Sequence, residues 1–211
     1  MNKVIVTLVG LTCSGKTTLK NQMLESGDFI EVISHTTRPM RNGEVDGETY
    51  YYVTQEEFDK MEMLERISYN GNTYGGSVKE FEKAFDSGLI PVIIVEPNGN
   101  EQINKNALDK GWRVLNVWVG CPVELQADRL VDRLLSDYAS IVQSKQQAVA
   151  KLIREYSSRI VMIQTVENEW SELFKRSVRG SGDVFAVSQF TNDNELSVRN
   201  SIMSTAISLR G

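Results

Sequence analysis

Apolar residues open the chain as a nearly continuous run, Val4-Ile5-Val6-Thr7-Leu8-Val9, that stops at Gly10. Six residues, all but Thr7 apolar and without alternation, predict a strand covered on both faces, the pattern of a parallel sheet. Lys16 to Leu24 then reads as a helix closed near Gly27. Further runs at Pro91–Val95, Val114–Val119 and Val184–Phe190 alternate with helical stretches over about Asn100–Lys110, Pro122–Leu135 and Asp193–Leu209. In the last of these, Leu196, Ile202, Met203, Ala206, Ile207 and Leu209 fall near helical spacing, which predicts a surface helix packed on the sheet. The whole alternation predicts an α/β fold with a central parallel sheet and helices on its faces.

The pattern changes between Ser34 and Gly76. Arg41-Asn42-Gly43 to Asp46-Gly47 is turn-like, Tyr50 to Val53 is strand-like, and Thr54-Gln55-Glu56-Glu57 is a capping box that opens a short helix. This segment reads as a lobe inserted at 34–76 into a core of 1–33, 77–128 and 160–211. A polar, Ser- and Gln-rich zone at about 129–159 reads as a helical lid, followed by a helical pattern that ends by Gly180. No repeat or low-complexity tract interrupts the chain, so the 211 residues predict a single domain.

Composition narrows the functional classes. No run of about 18 apolar residues could span a bilayer, and a net charge of -5 argues against a general nucleic-acid binder. Any phosphate site must therefore be local. The start of the chain lacks the pattern of a secretory signal, and Cys13 and Cys121 read as free thiols, so a cytoplasmic setting is expected. His35, the one histidine, has no catalytic partners nearby in sequence and reads as structural, and Met61 and Met63 read as packing.

Gly10-Leu11-Thr12-Cys13-Ser14-Gly15-Lys16-Thr17 matches G-x-x-x-x-G-K-[ST] in full, between a predicted strand and a predicted helix. Gly10 and Gly15 permit backbone angles that turn N–H groups inward, and the following helix start adds partial positive charge for phosphates. Lys16 would reach the outer phosphates of a nucleoside triphosphate, and the Thr17 hydroxyl would meet Mg²⁺. Thr18 continues the same nucleotide-binding turn.

A phosphate loop leaves the acceptor open. Ser34-His35-Thr36-Thr37-Arg38-Pro39-Met40-Arg41-Asn42-Gly43-Glu44 places two arginines three apart beside a glycine turn, with Tyr50 following. Forked guanidinium donors and a phenol suit a phosphate monoester, although on spacing alone solvated surface charges fit equally well.

The segment resembles the S-x-T-T-R-x-x-R-x-G-E-x-x-G-x-x-Y motif of the guanylate kinase family. Leu64-Glu65 followed by Asn70-Gly71-Asn72-Thr73-Tyr74-Gly75 resembles that family's second base-lobe motif, and the likeness extends to Glu96-Pro97-Asn98-Gly99, to Arg129 and Arg133, and to Asn192-Asp193. The resemblance implies a three-layer P-loop kinase fold and ATP-dependent, Mg²⁺-dependent phosphorylation of GMP or dGMP. It implies that Ser34, Arg38, Arg41, Tyr50 and Tyr74 hold the acceptor nucleotide and that Glu65 reads its base. Arg129, Arg133 and Asn192 would serve ATP, and Arg159, with Arg154 as a rival, would bridge donor and acceptor. Partners would be small nucleotides, with no nucleic acid and no membrane, and the chain would be a monomer or homodimer.

Three departures bear on specificity. Where the family carries Asp-x-Asp, this chain has Ile94-Val95-Glu96, so one carboxylate is missing and the other is a methylene longer. Gly76 stands where the family has a hydroxyl residue, and Ser77 follows either as a base contact or, within Ser77-Val78-Lys79-Glu80, as a helix N-cap. These changes keep open a deoxynucleoside monophosphate kinase with relaxed or altered base preference; the resemblance also admits a binding module that has lost catalysis, against which the intact Gly15-Lys16-Thr17 argues.

Overall fold

A computed structural model describes residues 2–140, 167–178, 183–187, 191 and 194–211. Strand β1 (Val4–Val9) is buried along its whole length and lies at the centre of a five-stranded sheet. The order is β2 (Phe29–Glu31), β7 (Ile90–Ile94), β1, β8 (Arg113–Val119) and β9 (Asp183–Val187), with every pairing parallel.

Side chains of β1 divide between two cores, as the two-residue period of a strand requires. Ile5 and Val9 join Phe81 of α3 (Val78–Asp86), Ile103 and Ala107 of α4 (Pro97–Asp109) and Phe174 of α6 (Glu167–Ser177). Val6 and Leu8 join Leu19 and Met23 of α1 (Lys16–Leu24) and Ile202 and Ala206 of α7 (Glu195–Arg210). The result is three layers, helix on sheet on helix. Each buried valine, leucine, isoleucine, phenylalanine or methionine among these contributes about 1.5–3 kcal/mol by leaving water.

A second sheet, ordered β4 (Tyr51–Tyr52), β3 (His35–Thr36), β6 (Asn72–Gly75) and β5 (Ile67–Tyr69), is built within residues 34–76. Strands β5 and β6 are antiparallel and turn on Asn70-Gly71, with φ of 49° and 74°. Positive φ at both central residues is what a two-residue hairpin needs, and Asn-Gly adopts it readily. Helix α2 (Gln55–Asp59) begins at Thr54, where both bonds of the expected capping box form. His35 is buried against Tyr51, 4.9 Å between ring centroids, and burial lowers its pKa, in keeping with a packing role.

Several boundaries differ from expectation. Helix α4 starts at Pro97 rather than near Asn100, because proline fits the first helical turn, where no N–H partner is needed. Helix α5 (Val123–Ser140) continues past Leu135, through the start of the expected lid; the rest of that zone lies outside the described residues, as do residues 188–190 of the expected last strand. Ser77 does occupy the N-cap of α3, but its side chain makes no capping bond.

One polar cluster ties the layers together. Asn100 and Asn104 of α4, Asn116 of β8 and Ser177 of α6 are all buried. The Asn104 amide donates to Asn116 Oδ1 at 2.7 Å, Asn116 donates to Asn104 Oδ1 at 3.1 Å, and Asn100 donates to Ser177 Oγ at 2.9 Å. Among the described residues, no helix is long and apolar enough to cross a membrane.

Candidate active site

Helix α1 starts directly after β1 through the loop Gly10–Gly15, and the tightness of that turn dictates its residues. A β-carbon on Gly10 would lie 2.3 Å from the Val119 carbonyl oxygen, so no larger residue fits. Gly15, at φ 102°, is the N-cap of α1, and Cys13 adopts a left-handed φ of 58°. The loop curls directly into the N-terminus of α1, the kind of arrangement that favours anions.

Lys16 folds back over the loop, donating to the carbonyls of Gly10 at 2.8 Å and Leu11 at 2.5 Å. Burial pushes its ammonium down to about 8, with Cys13 and Glu96 pulling the other way. An incoming polyphosphate would supply the missing negative charge.

Two cavities flank this lysine, and it lines both. The first, of about 300 Å³, is also lined by Cys13, Gly15, Thr17, Thr18, Arg129, Arg133 and Glu195. Arg129 reaches the loop itself, with its guanidinium 3.4 Å from both the Cys13 carbonyl and the Cys121 sulfur. The second, of about 590 Å³, is lined by Gly10, Thr12, Ser34, Arg38, Arg41, Glu44, Tyr50, Glu65, Tyr74, Glu96 and Trp170, among others. Leu11 and Ser14 are buried and line neither cavity, and Ser77 is likewise buried and apart from both. Arg159, Arg154 and Asn192 lie outside the described residues.

Within the larger cavity the two arginines are organised by a carboxylate that the sequence reading left without a role. Glu44 receives a forked pair of bonds from Arg38, 3.0 and 2.8 Å, and further bonds from the Arg41 backbone N–H at 2.7 Å and the Tyr52 hydroxyl at 2.8 Å. Hydrogen bonding to Arg38 is the main reason its carboxyl is held down to about 2. Tyr50 packs edge-on to Tyr74 at 5.8 Å, and the Arg38 guanidinium lies 5.7 Å from the Tyr50 ring centre.

Glu44→Gln should cost about 1 kcal/mol of stability at neutral pH, since the pair is only partly shielded from water. The Glu44 carboxyl is depressed in the fold, so its stabilisation is full above pH 4.5 and is lost as pH falls toward 2. Urea unfolding of the two proteins should therefore converge near pH 2, and a gap that persists there would contradict the pairing.

Elsewhere in the cavity stands a second, unpaired type of carboxylate. Glu65 is only 4% exposed and accepts the Gly76 N–H at 2.7 Å. Burial raises its carboxyl to about 7 against the pull of that bond, and Glu96 adds to the rise. Glu96 opens to the cleft, yet crowding by protein raises its carboxyl too, with Lys16 opposing. Gly76 has little room for a side chain: a β-carbon there would meet Phe81 Cε2 at 3.0 Å and Ile93 Cδ1 at 3.3 Å. The hydroxyl missing from this position is thus replaced by packing, and the backbone N–H holds the carboxylate instead.

Beyond Glu44, sequence reasoning gave no site role to Glu195 in the first cavity or to Ile67, Tyr69, Asn70, Ile94, Val95 and Trp170 in the second.

Comparison with known proteins gives the same picture. A model of the guanylate kinase family matches residues 1–176. The guanylate kinase of Pseudomonas fluorescens (strain Pf0-1) is 41% identical over 97 residues, which span 44% of this chain and 47% of that protein, about half its length. The guanylate kinase of Streptococcus pneumoniae (strain ATCC BAA-255 / R6) is 31% identical over 170 residues, 75% of this chain and 78% of that protein. The crystal structure of guanylate kinase from Anaplasma phagocytophilum superposes with a TM-score of 0.57 at 18% identity, covering 99% of this chain and 87% of that one, a likeness of fold. A phosphate loop with its lysine shared between two clefts, an arginine pair in the larger one and a family match through residue 176 agree on one conclusion: the chain belongs to the guanylate kinase family.

Proposed function

We propose that the chain transfers the γ-phosphoryl group of ATP to GMP or dGMP, giving ADP and the nucleoside diphosphate. The observation that carries this reading is that Lys16 lines both cavities, so a triphosphate on the loop and a monophosphate in the larger cleft would face each other across one ammonium group.

Each residue then has a task. In the smaller cavity the loop and Lys16 hold the triphosphate, with Arg129 and Arg133 offsetting charge on the transferring group. In the larger cavity Arg38, Arg41, Tyr50 and Tyr74 hold the acceptor phosphate, with Ser34 beside them. Glu65 accepts from the N1–H and 2-amino donors of guanine, a pair adenine lacks. No covalent intermediate is required, because alignment and charge neutralisation supply most of the rate. The segment 34–76 acts as the acceptor lobe and about 129–159 as the lid, whose closure would exclude water from the reacting phosphates.

Among the described residues, no group of three or more His, Cys, Asp or Glu could hold a metal ion. That suits Mg²⁺, which takes most of its ligands from phosphate oxygens and water. Thr17 and, through water, Glu96 are the residues that would hold it. When bound it neutralises charge on the donor phosphates. On this reading the chain works on small nucleotides as a monomer or a homodimer in the cytoplasm.

A panel of nucleoside monophosphates assayed with ATP tests the reading. GMP and dGMP should turn over much faster than AMP, CMP or dTMP, and ADP should form only when an acceptor is present. Comparable rates with dTMP would overturn it.

A further inference from the structure

We propose that Trp170 is the surface on which the base of the acceptor nucleotide stacks, an inference that rests on the phosphoryl-transfer reading above. Trp170 stands on α6, far along the chain from the acceptor lobe. Its half-buried indole packs against the core cluster that contains Val95, Trp118 and Phe174, and it also lines the acceptor cavity. The ring is therefore anchored on the core and available to the cleft, and little conformational entropy remains to be lost when a ligand arrives.

The cleft needs such a surface. Ile67 Cδ1 and Glu65 Oε2 lie 3.0 and 3.3 Å from the point that a β-carbon on Gly99 would occupy, so apolar surface adjoins the buried carboxylate. A purine held by its edge at Glu65 presents two flat faces that must leave water together with that edge. Stacking on an aromatic ring favours this transfer and tolerates any flat base, so Trp170 would set affinity for a base while Glu65 chooses which one. The contact would also join the acceptor lobe to α6, which packs on α4.

Intrinsic fluorescence gives a direct readout. Of the three tryptophans, Trp112 and Trp118 are 7% and 9% exposed in the core, which leaves Trp170 as the one a ligand can reach. GMP added to the protein should change the emission, whereas ribose 5-phosphate, which carries the phosphate without a base, should not. Trp170→Phe should abolish the change and keep most of the affinity. Trp170→Leu, which preserves the apolar anchor, should raise KM for GMP about tenfold or more and leave KM for ATP within about twofold. A GMP-dependent change that survives in Trp170→Phe, an equal response to ribose 5-phosphate, or an unaltered KM in Trp170→Leu would overturn the inference. Should Trp170→Leu fail to fold, the first two measurements decide alone. A wild-type protein that stacks GMP without phosphorylating it would sink the catalytic reading and leave the stacking intact.

Discussion

Lys16→Met should lower kcat for phosphoryl transfer from ATP to GMP by about 10²–10³-fold, the range seen when one preorganised donor to a developing charge is removed. Methionine keeps most of the length of the side chain, so the loop can stay folded while the ammonium is lost. The effect should concentrate in kcat, because the charge matters most when the phosphoryl group is between its two partners. Binding of GMP, which rests on the arginine pair, should change little. The lysine also sets a pH limit. Its pKa of about 8 in the free protein means that the proton is lost as pH rises past that value, so kcat/KM for ATP should decline there in the wild type. Steady-state kinetics across pH 6–9, with calorimetric titration of GMP, check both halves, and a kcat within about fivefold of wild type would refute the role.

Glu65→Gln should compress the preference for GMP over AMP by about 10³-fold or more. A buried carboxylate offers two acceptors to guanine's two donors, and mismatched partners leave polar groups unpaired. A carboxamide presents one donor and one acceptor, which suits the N1 and 6-amino edge of adenine. The expected result is a large loss of kcat/KM with GMP and a gain with AMP. Acidity supplies an independent signature. Glu65 must be ionised to accept both bonds, and its carboxyl sits at about 7, so kcat/KM for GMP should fall below that pH in the wild type and stay flat in the variant. The same shift acts on the fold with the opposite sense. A carboxyl raised by burial favours the folded state at low pH, and this advantage is lost as pH rises from 4.5 to about 7. Glu65→Gln should remove that slope from the stability curve, and an unchanged slope would place the titration elsewhere.

Much of this arrangement is legible in the residues, for identifiable reasons. The apolar run Val4–Val9 and the helix Lys16–Leu24 have the predicted bounds because a doubly buried strand, a glycine loop and a helix closed near a glycine each leave a local mark. The hairpin of β5 and β6 went unread as a hairpin although Asn70-Gly71 carries its signal, since the strands are short and partly polar. Glu44 lay in plain view three residues after Arg41, but its bonds to both arginines depend on the fold of the turn between them. Trp170 and Glu195 had no local signal at all. They reach the clefts only because helices distant in sequence pack beside them, which no window of residues can disclose.

The buried asparagines have a consequence for how this protein can vary. Greasy contacts between α4, β8 and α6 could slide by a fraction of a turn and still exclude water. Amide bonds from Asn100, Asn104 and Asn116 to one another and to Ser177 cannot, because each has a direction and a length. Exchange of any one of these residues strands its neighbours, so viable change here has to come in concert, and lineages that drift freely over the exterior would inherit this knot whole.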